Sequence, residues 1–525
     1  MIFDFPMGGF ETPTMENTRK QALLYFFTNV YALSLLSGMG IPANFSEEIY
    51  TNLHKLLSAD SPLHEESPGD PMDFDYKIFP LRAVYTQGHP AIAVLSDHFL
   101  SEKKDFRWDK GKLKKNIQPA DQALLIHGEV KLAEYLYHRS LLDPKETSTP
   151  REKYIGLLLL HSAIEQGEFC HAYLRNSQGF FVKKKDKSKH HDHIFLKTKD
   201  EHIRWLDQIH MMHAYGGLYQ VLQDQDRYPR YYDHEQALYF CDWSMQILHV
   251  LLHQEEHMYN LKTKELAEAI PLIIHTARML GKNAEMEPFV IKLCAEVCSR
   301  ELEGGKLSRE RYGSKVSSLA THGRALKALV EGYKFTQLDH FYGAAKKIYR
   351  YINSRWDREI NLFTHNARKK LKYSAKDIGS LIGALHSLLS IETHPNNIDL
   401  LEKQLCAFFH SAINISGIQI APPVIAEIPN MRSIKELDPL AAELFCHDEQ
   451  SCVFLKEFKI YPKKDKIYLH RDQYEAHHAL YAALELSALT NMEQLPTKNM
   501  QKIDPPVWEV GKTIDDIEII ELKEE

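Results

Sequence analysis

Cysteine is scarce in this chain. There are seven in 525 residues, an odd number, and none forms a CxxC pair. A disulfide framework, a zinc ribbon and a c-type haem attachment are therefore excluded, and a reducing, cytoplasmic compartment is expected. Cys294 and Cys298, one helical turn apart, read as small buried apolar groups. A GxSxG elbow, a Cys-His signature and Gly-rich phosphate loops are also missing, which removes the commonest nucleophilic and nucleotide-binding chemistries. Positive charge is not in excess: 64 Lys and Arg stand against 71 Asp and Glu, a net −7. No global field would draw in a polyanion, so nucleic acid is not an expected partner. Long apolar runs are lacking too, with one exception, the uncharged stretch from Gln21 to Ser46. Thr28, Asn29, Ser34 and Ser37 interrupt it and Gly38, Gly40 and Pro42 close it, so it reads as a first core helix rather than an anchor, and a membrane partner is not favoured.

Hydrophobic residues at 44%, charged at 26% and aromatic at 10% describe a folded globular chain with a large core. From about Gln118 to Leu489 helical-period segments follow one another, bounded by Pro, Gly, Asp or Ser, and strand-like alternation is rare. The fold class is all-α. Three parts are expected: an irregular N-terminal lobe over residues 1–115, rich in proline and with room for a few short strands; a helical body over 116–490; and a surface tail over 491–525. Within the body the helix starts rhyme, as in Pro119-Ala120-Asp121-Gln122, Tyr232-Asp233-His234-Glu235, Tyr373-Ser374-Ala375-Lys376-Asp377 and Arg471-Asp472-Gln473-Tyr474-Glu475.

With Trp356 to Phe363 leading into Tyr373 to Leu385, and with Ala421-Pro422-Pro423 and the last helix from Tyr474 to Leu489, the chain resembles the six-hairpin (α/α) toroids. This is the architecture of many glycosidases, polysaccharide lyases and N-acylglucosamine 2-epimerase-like proteins. The resemblance covers about the C-terminal three-quarters and carries no diagnostic catalytic motif. It implies an inner ring of helices covered on both sides and an outer ring covered on one. Ala375 to Leu389, largely apolar with Gly379 and Gly383 one turn apart, suits the inner ring; Leu338 to Ser354, with Lys346, Lys347 and Arg350 on one face, suits the outer. An open helical array or α-solenoid would show the same alternation.

A toroid enzyme acting on sugars needs carboxylates at the rim of the inner ring and aromatic rings to stack on sugar faces. Asp377, Asp233, Glu235, Asp472 and Glu475 are the candidate catalytic acids, with Asp121 beside them. Trp356, Tyr373, Tyr232, Tyr474 and Arg324 are the candidate substrate-binding residues. Each acid is equally suited to capping its helix. An epimerase-like reaction would use histidines instead, His322 first, with His386, His477 and His478 behind it.

The 29 histidines also invite a metal reading. Glu165, Glu168 and His171, or Glu475 and His478, have the spacing of carboxylate-bridged metal bundles, but such pairs arise by chance at this composition. His249, His253 and His257 line one helix face, as do His210 and His213, and His190, His191 and His193 sit in a lysine-rich loop. No metal or cofactor is assigned. Three function classes stay open: a carbohydrate-active enzyme that hydrolyses, eliminates or isomerises a small-molecule or saccharide substrate in a central cavity; a non-catalytic helical scaffold; and a metal-dependent helical enzyme.

Overall fold

The computed structural model describes residues 2–4, 13–36, 38–43, 80–94, 104–142, 150–188, 193–229, 231–364, 370–419, 453–461, 466–469 and 473–490. Twelve long helices carry these residues, in chain order α1 Met15–Tyr31, α2 Pro119–Leu142, α3 Pro150–Tyr173, α4 Trp205–Gln223, α5 His234–His253, α6 Thr263–Met279, α7 Asn283–Ser299, α8 Leu319–Thr336, α9 Asp339–Asn353, α10 Ala375–Leu389, α11 Pro395–Phe409 and α12 Ala476–Ser487. The even-numbered helices pack side by side in a closed circuit, α2 on α4, α4 on α6, α6 on α8, α8 on α10, α10 on α12 and α12 back on α2. Odd-numbered helices lie outside that circuit, α3 against α2, α5 against α4, α7 and α9 against α8, α11 against α10, and α1 across α12 and α2. The protein is an (α/α)6 toroid.

The two rings differ in the burial their sequences allow. Along α4 every residue from Asp207 to Leu218 is buried, whereas α9 buries only Phe341, Ala345, Ile348, Tyr351 and Ile352, one stripe at helical spacing. Glycines let inner helices approach closely: a Cβ on Gly379 of α10 would lie 2.9 Å from the Ala482 Cα of α12, and one on Gly323 of α8 would lie 2.9 Å from the Ser380 carbonyl oxygen. Because each hairpin is antiparallel, the inner helices all run the same way, and their N-termini gather at one mouth of the ring.

The uncharged stretch from Gln21 forms the second half of α1 and a π-helical turn, Ala32–Leu36. Among the described residues no helix is long and apolar enough to cross a membrane. Although α1 falls within the segment expected as a lobe, it packs on the ring, with Asn29 Oδ1 accepting the Phe454 amide at 2.7 Å. Short sheets decorate the ends of the body. Leu371–Ser374 pairs with Glu457–Tyr461, that strand with Lys466–Leu469, and the last with Ile2–Asp4, all antiparallel. A three-stranded sheet of Asn116–Ile117, Lys184–Asp186 and Leu196–Thr198 sits where the chain enters α2. Tyr474–Glu475 pairs with Gln87–Gly88 where it enters α12.

Candidate active site

Charged side chains from the first two turns of the inner helices meet at the N-terminal mouth. Glu268 of α6 is the hub and is 5% exposed. Its Oε1 lies 3.1 Å from His210 Nε2 of α4 and 2.8 Å from Lys376 Nζ of α10. Its Oε2 lies 2.7 Å from the same ammonium and 3.0 Å from Arg324 Nη1 of α8. His477 of α12 is 3.5 Å from Glu268 Oε1 and accepts from or donates to Lys376 Nζ at 2.6 Å. On its other side His477 Nδ1 faces Asp121 Oδ1 of α2 at 3.2 Å. All six inner helices thus contribute one polar side chain to a single buried point.

The electrostatics follow from that geometry. Burial pushes the Glu268 carboxyl up, but Lys376, His210 and His477 outweigh it and hold the group well below the usual carboxylate range. Glu268 is ionised. Burial and the Lys376 ammonium push His477 down, and Asp121 and Glu268 together overcome both, leaving its pKa raised. Burial lowers that of His210. One turn ahead of His210, Asp207 is 3% exposed, and burial drives its carboxyl up to about 7 against the pull of Arg204. Gln118 Nε2 reaches it at 3.4 Å. Two nitrogens 2.6 Å apart require one donor and one acceptor, so a single proton lies on the line between Lys376 and His477 and the two are not both fully protonated. Burial lowers the Lys376 pKa while its neighbours raise that of His477, and the ammonium is gripped by both oxygens of Glu268 and lies 4.9 Å above the Tyr481 ring.

Among the described residues the buried His478 Nδ1 and Tyr474 hydroxyl have no hydrogen-bond partner. Asp121 and Tyr474 are each 1% exposed. Asp121 Oδ1 and His477 Nδ1 face each other at 3.2 Å, and that contact helps to raise the His477 pKa.

His210, Glu268 and His477 also present ligand atoms within 4.8 Å of one another, the spacing of a metal set. The Lys376 ammonium stands among them, and a positive group already in place is the wrong neighbour for a cation. The spacing motifs weighed for metal are dispersed: Glu165 faces Arg82 at 3.8 Å, Glu168 accepts from Gln236, His171 stacks on Trp243, and His253 bonds its own helix at the His249 carbonyl. His190 and His191 lie outside the described residues. Five cysteines, Cys170, Cys241, Cys294, Cys298 and Cys406, are free thiols, and burial raises the pKa of each.

Of the residues singled out in the sequence, Arg324 lies within the cluster. Tyr474 and Glu475 border it: Tyr474 packs edge-on against Trp108, and Glu475 pairs with Lys456 at 3.0 Å. Asp377 closes a capping box with Ser374 at the start of α10, its carboxylate accepting from the Ser374 amide and hydroxyl. Tyr373 is buried and donates to the Phe363 carbonyl, and Trp356 packs on Phe363. Tyr232, Asp233 and Glu235 are exposed at the start of outer helix α5, at the opposite end of the ring. Asp233 caps that helix by accepting the Gln236 amide at 3.0 Å. His322 is fully buried, accepting the Leu307 amide at 2.9 Å and donating to the Ser318 carbonyl at 2.8 Å, so both ring nitrogens pin the loop before α8. Asp472 lies outside the described residues.

No protein-family model and no curated protein matches the chain. Solved structures do resemble it. A D-mannose isomerase aligns at 8% identity over 85% of this chain and 99% of its own, with a TM-score of 0.49. An unsaturated glucuronyl hydrolase specific for heparin aligns at 9% identity over 91% and 99%, with a TM-score of 0.43. A sugar epimerase from a ruminal bacterium aligns at 13% identity over 65% and 76%, with a TM-score of 0.35. At this level of similarity the residues of the mouth carry the functional reading.

Proposed function

We propose that this chain is a carbohydrate-active enzyme working by acid–base proton transfer at the N-terminal mouth of its inner ring. The observation that carries the reading is the convergence of all six inner helices on one buried charged cluster that still holds unpartnered polar atoms. Leaving a buried donor or acceptor unsatisfied costs about 1–3 kcal/mol. The Tyr474 hydroxyl and His478 Nδ1 carry that cost beside the Asp121–His477 pair, and a polyol supplies donors and acceptors together. Perturbed groups gathered in this way mark functional sites more often than structural ones.

The reaction that suits the charge states is isomerisation or epimerisation of an open-chain sugar. Asp207, poised near neutrality, takes a proton from the carbon beside the carbonyl and returns it to the neighbouring carbon in isomerisation; in epimerisation His477 delivers a proton to the opposite face and Asp207 keeps the one it took. Lys376 and Arg324 stabilise the enediolate oxygen, His477 exchanges a proton with it, and ionised Glu268 anchors the cations. A second reading, glycoside cleavage, has its own support: Asp121 and Asp207 stand on neighbouring inner helices, and one of them is held near neutrality, the pairing of acid and base that such cleavage uses. Proton NMR of a monosaccharide and disaccharide panel incubated with the protein in D2O tests both. Isomerisation exchanges solvent deuterium into the carbon next to the carbonyl, cleavage produces new reducing-end anomeric signals, and unchanged spectra across the panel would overturn the reading.

A further inference from the structure

We propose that Tyr481 is a positioning residue: its ring face keeps the proton shared by Lys376 and His477 on the lysine, so that His477 rests as a neutral imidazole protonated on Nδ1 alone. This deepens the acid–base reading of the mouth, on which its catalytic meaning rests. Tyr481 is 7% exposed and stands on α12 one turn after His477. Its ring centroid lies 4.9 Å from Lys376 Nζ and 6.5 Å from that of His477, with the two ring planes 24° apart. One side chain therefore flanks both members of the pair. Close helix contact puts it there. Gly379 and Gly383 share the face of α10 that carries Lys376; a Cβ on Gly383 would lie 2.1 Å from Glu485 Oε2 of α12, as one on Gly379 would meet Ala482, the residue after Tyr481.

The charges around the pair pull both ways. Glu268 of α6 meets both groups, Lys376 at 2.7 and 2.8 Å and His477 at 3.5 Å. Asp121 of α2 faces the imidazole at 3.2 Å. Arg324 of α8 and Lys264 of α6 oppose the ammonium, and Lys376 opposes the imidazolium. His210 of α4 meets His477 edge-on, with ring centroids 5.8 Å apart. Along their own helices, Asp377 adjoins Lys376, Glu475 and His478 flank His477, and Glu485 follows Tyr481 by one turn. Burial brings the lysine down and, against burial, Asp121 and Glu268 bring the imidazole up, so the competitors are drawn together and a modest bias decides. The Tyr481 ring supplies that bias, because an aromatic face attracts an ammonium and does little for a neutral amine. His477 Nε2 then accepts from Lys376, and its own proton sits on Nδ1 towards Asp121. That Nδ1 proton is the one His477 can give up, and Lys376 refills the ring at Nε2.

Nitrogen-15 NMR of the whole chain labelled at histidine, at pH 7 and without sugar, tests the proposal; the His477 signals are those lost in His477→Asn. Expected in the parent is the neutral ring with its proton on Nδ1. Tyr481→Phe keeps a ring face and should look the same. Tyr481→Leu should move the shared proton to Nε2 and raise the ratio of imidazolium to neutral ring at His477 by about 10-fold. Thermal melting shows whether that variant is folded, and Tyr481→Met takes its place if it is not. A cationic His477 in the parent, an unchanged ratio in the folded Leu or Met variant, or a Phe variant that shifts as far as either overturns the proposal. With no sugar in the sample, such a failure leaves the carbohydrate reading standing. Unchanged sugars in the deuterium experiment overturn that reading and leave the proton placement by Tyr481 intact.

Discussion

Two buried glutamates, one at the mouth and one in the seam between α2 and α3, answer the same problem in opposite ways. Glu268 is ionised and sits among Lys376, Arg324, His210 and His477. Glu129 is fully buried, but its carboxyl meets neutral groups, the Gln166 amide at 2.9 Å and the Ser162 hydroxyl at 3.2 Å on Oε1, with the Ser34 hydroxyl beside them, and burial drives it up to about 8. Depth is equal, so the neighbours decide the charge. A neutral acid among neutral partners is what a structural polar network needs. An ionised acid with more cations than it can satisfy is a costly way to build a core, and it is the mark of a site.

Substituting each glutamate should separate them most sharply. Glu268→Gln leaves Arg324 and Lys376 buried without a counter-charge and should cost about 3–5 kcal/mol in denaturant unfolding. At pH 7 Glu129→Gln, which replaces an already neutral group, should stay within about 1 kcal/mol of the parent. Equal losses would abolish the distinction. Lys376→Ala takes the ammonium out of the His210–Glu268–His477 set. The variant should bind Co2+ with visible d–d bands, and the parent should not; a parent that binds stoichiometric metal would restore the metal-dependent reading.

A smaller effect concerns pH. The folded pKa of Asp207 lies above the ordinary carboxylate value, so the folded state holds a proton that the unfolded chain releases first. Its contribution therefore declines as pH rises from the usual carboxylate range to about 7. Asp207→Asn should flatten that part of the stability–pH curve and gain most above pH 7, as urea midpoints across pH would record. Smallest is Tyr474→Phe. The buried hydroxyl has no hydrogen-bond partner among the described residues, so its removal should raise unfolding stability by about 1 kcal/mol, while sugar binding should weaken.

The architecture was legible because period and faces are local properties. The one-sided stripe of α9 and the nearly uninterrupted apolar run of α10 are visible in a few turns of sequence, and they correspond to outer and inner positions. Local chemistry misled at the site. Asp233 and Asp377 stand at helix starts, where an acid satisfies the backbone amides of its own first turn, and both do so. The cluster instead uses charges that no local role explains, Glu268 between Ala267 and Ala269 and Lys376 beside the capping Asp377. Each could be noticed as an exception to its helix face. Their meeting could not, since Lys376 is 108 residues from Glu268 and 101 from His477, and only closure of the ring brings them together.

The seating of α1 over α12 and α2 has a consequence for synthesis. Helix α1 completes its seat only when α12 has been made, and Asn29 waits for a partner 425 residues downstream. Until then α2 covers it in part and the side that meets α12 has no native cover, which invites chaperone capture or aggregation of nascent chains. Such an arrangement acts as a clasp: removal of α12 should release α1 along with it.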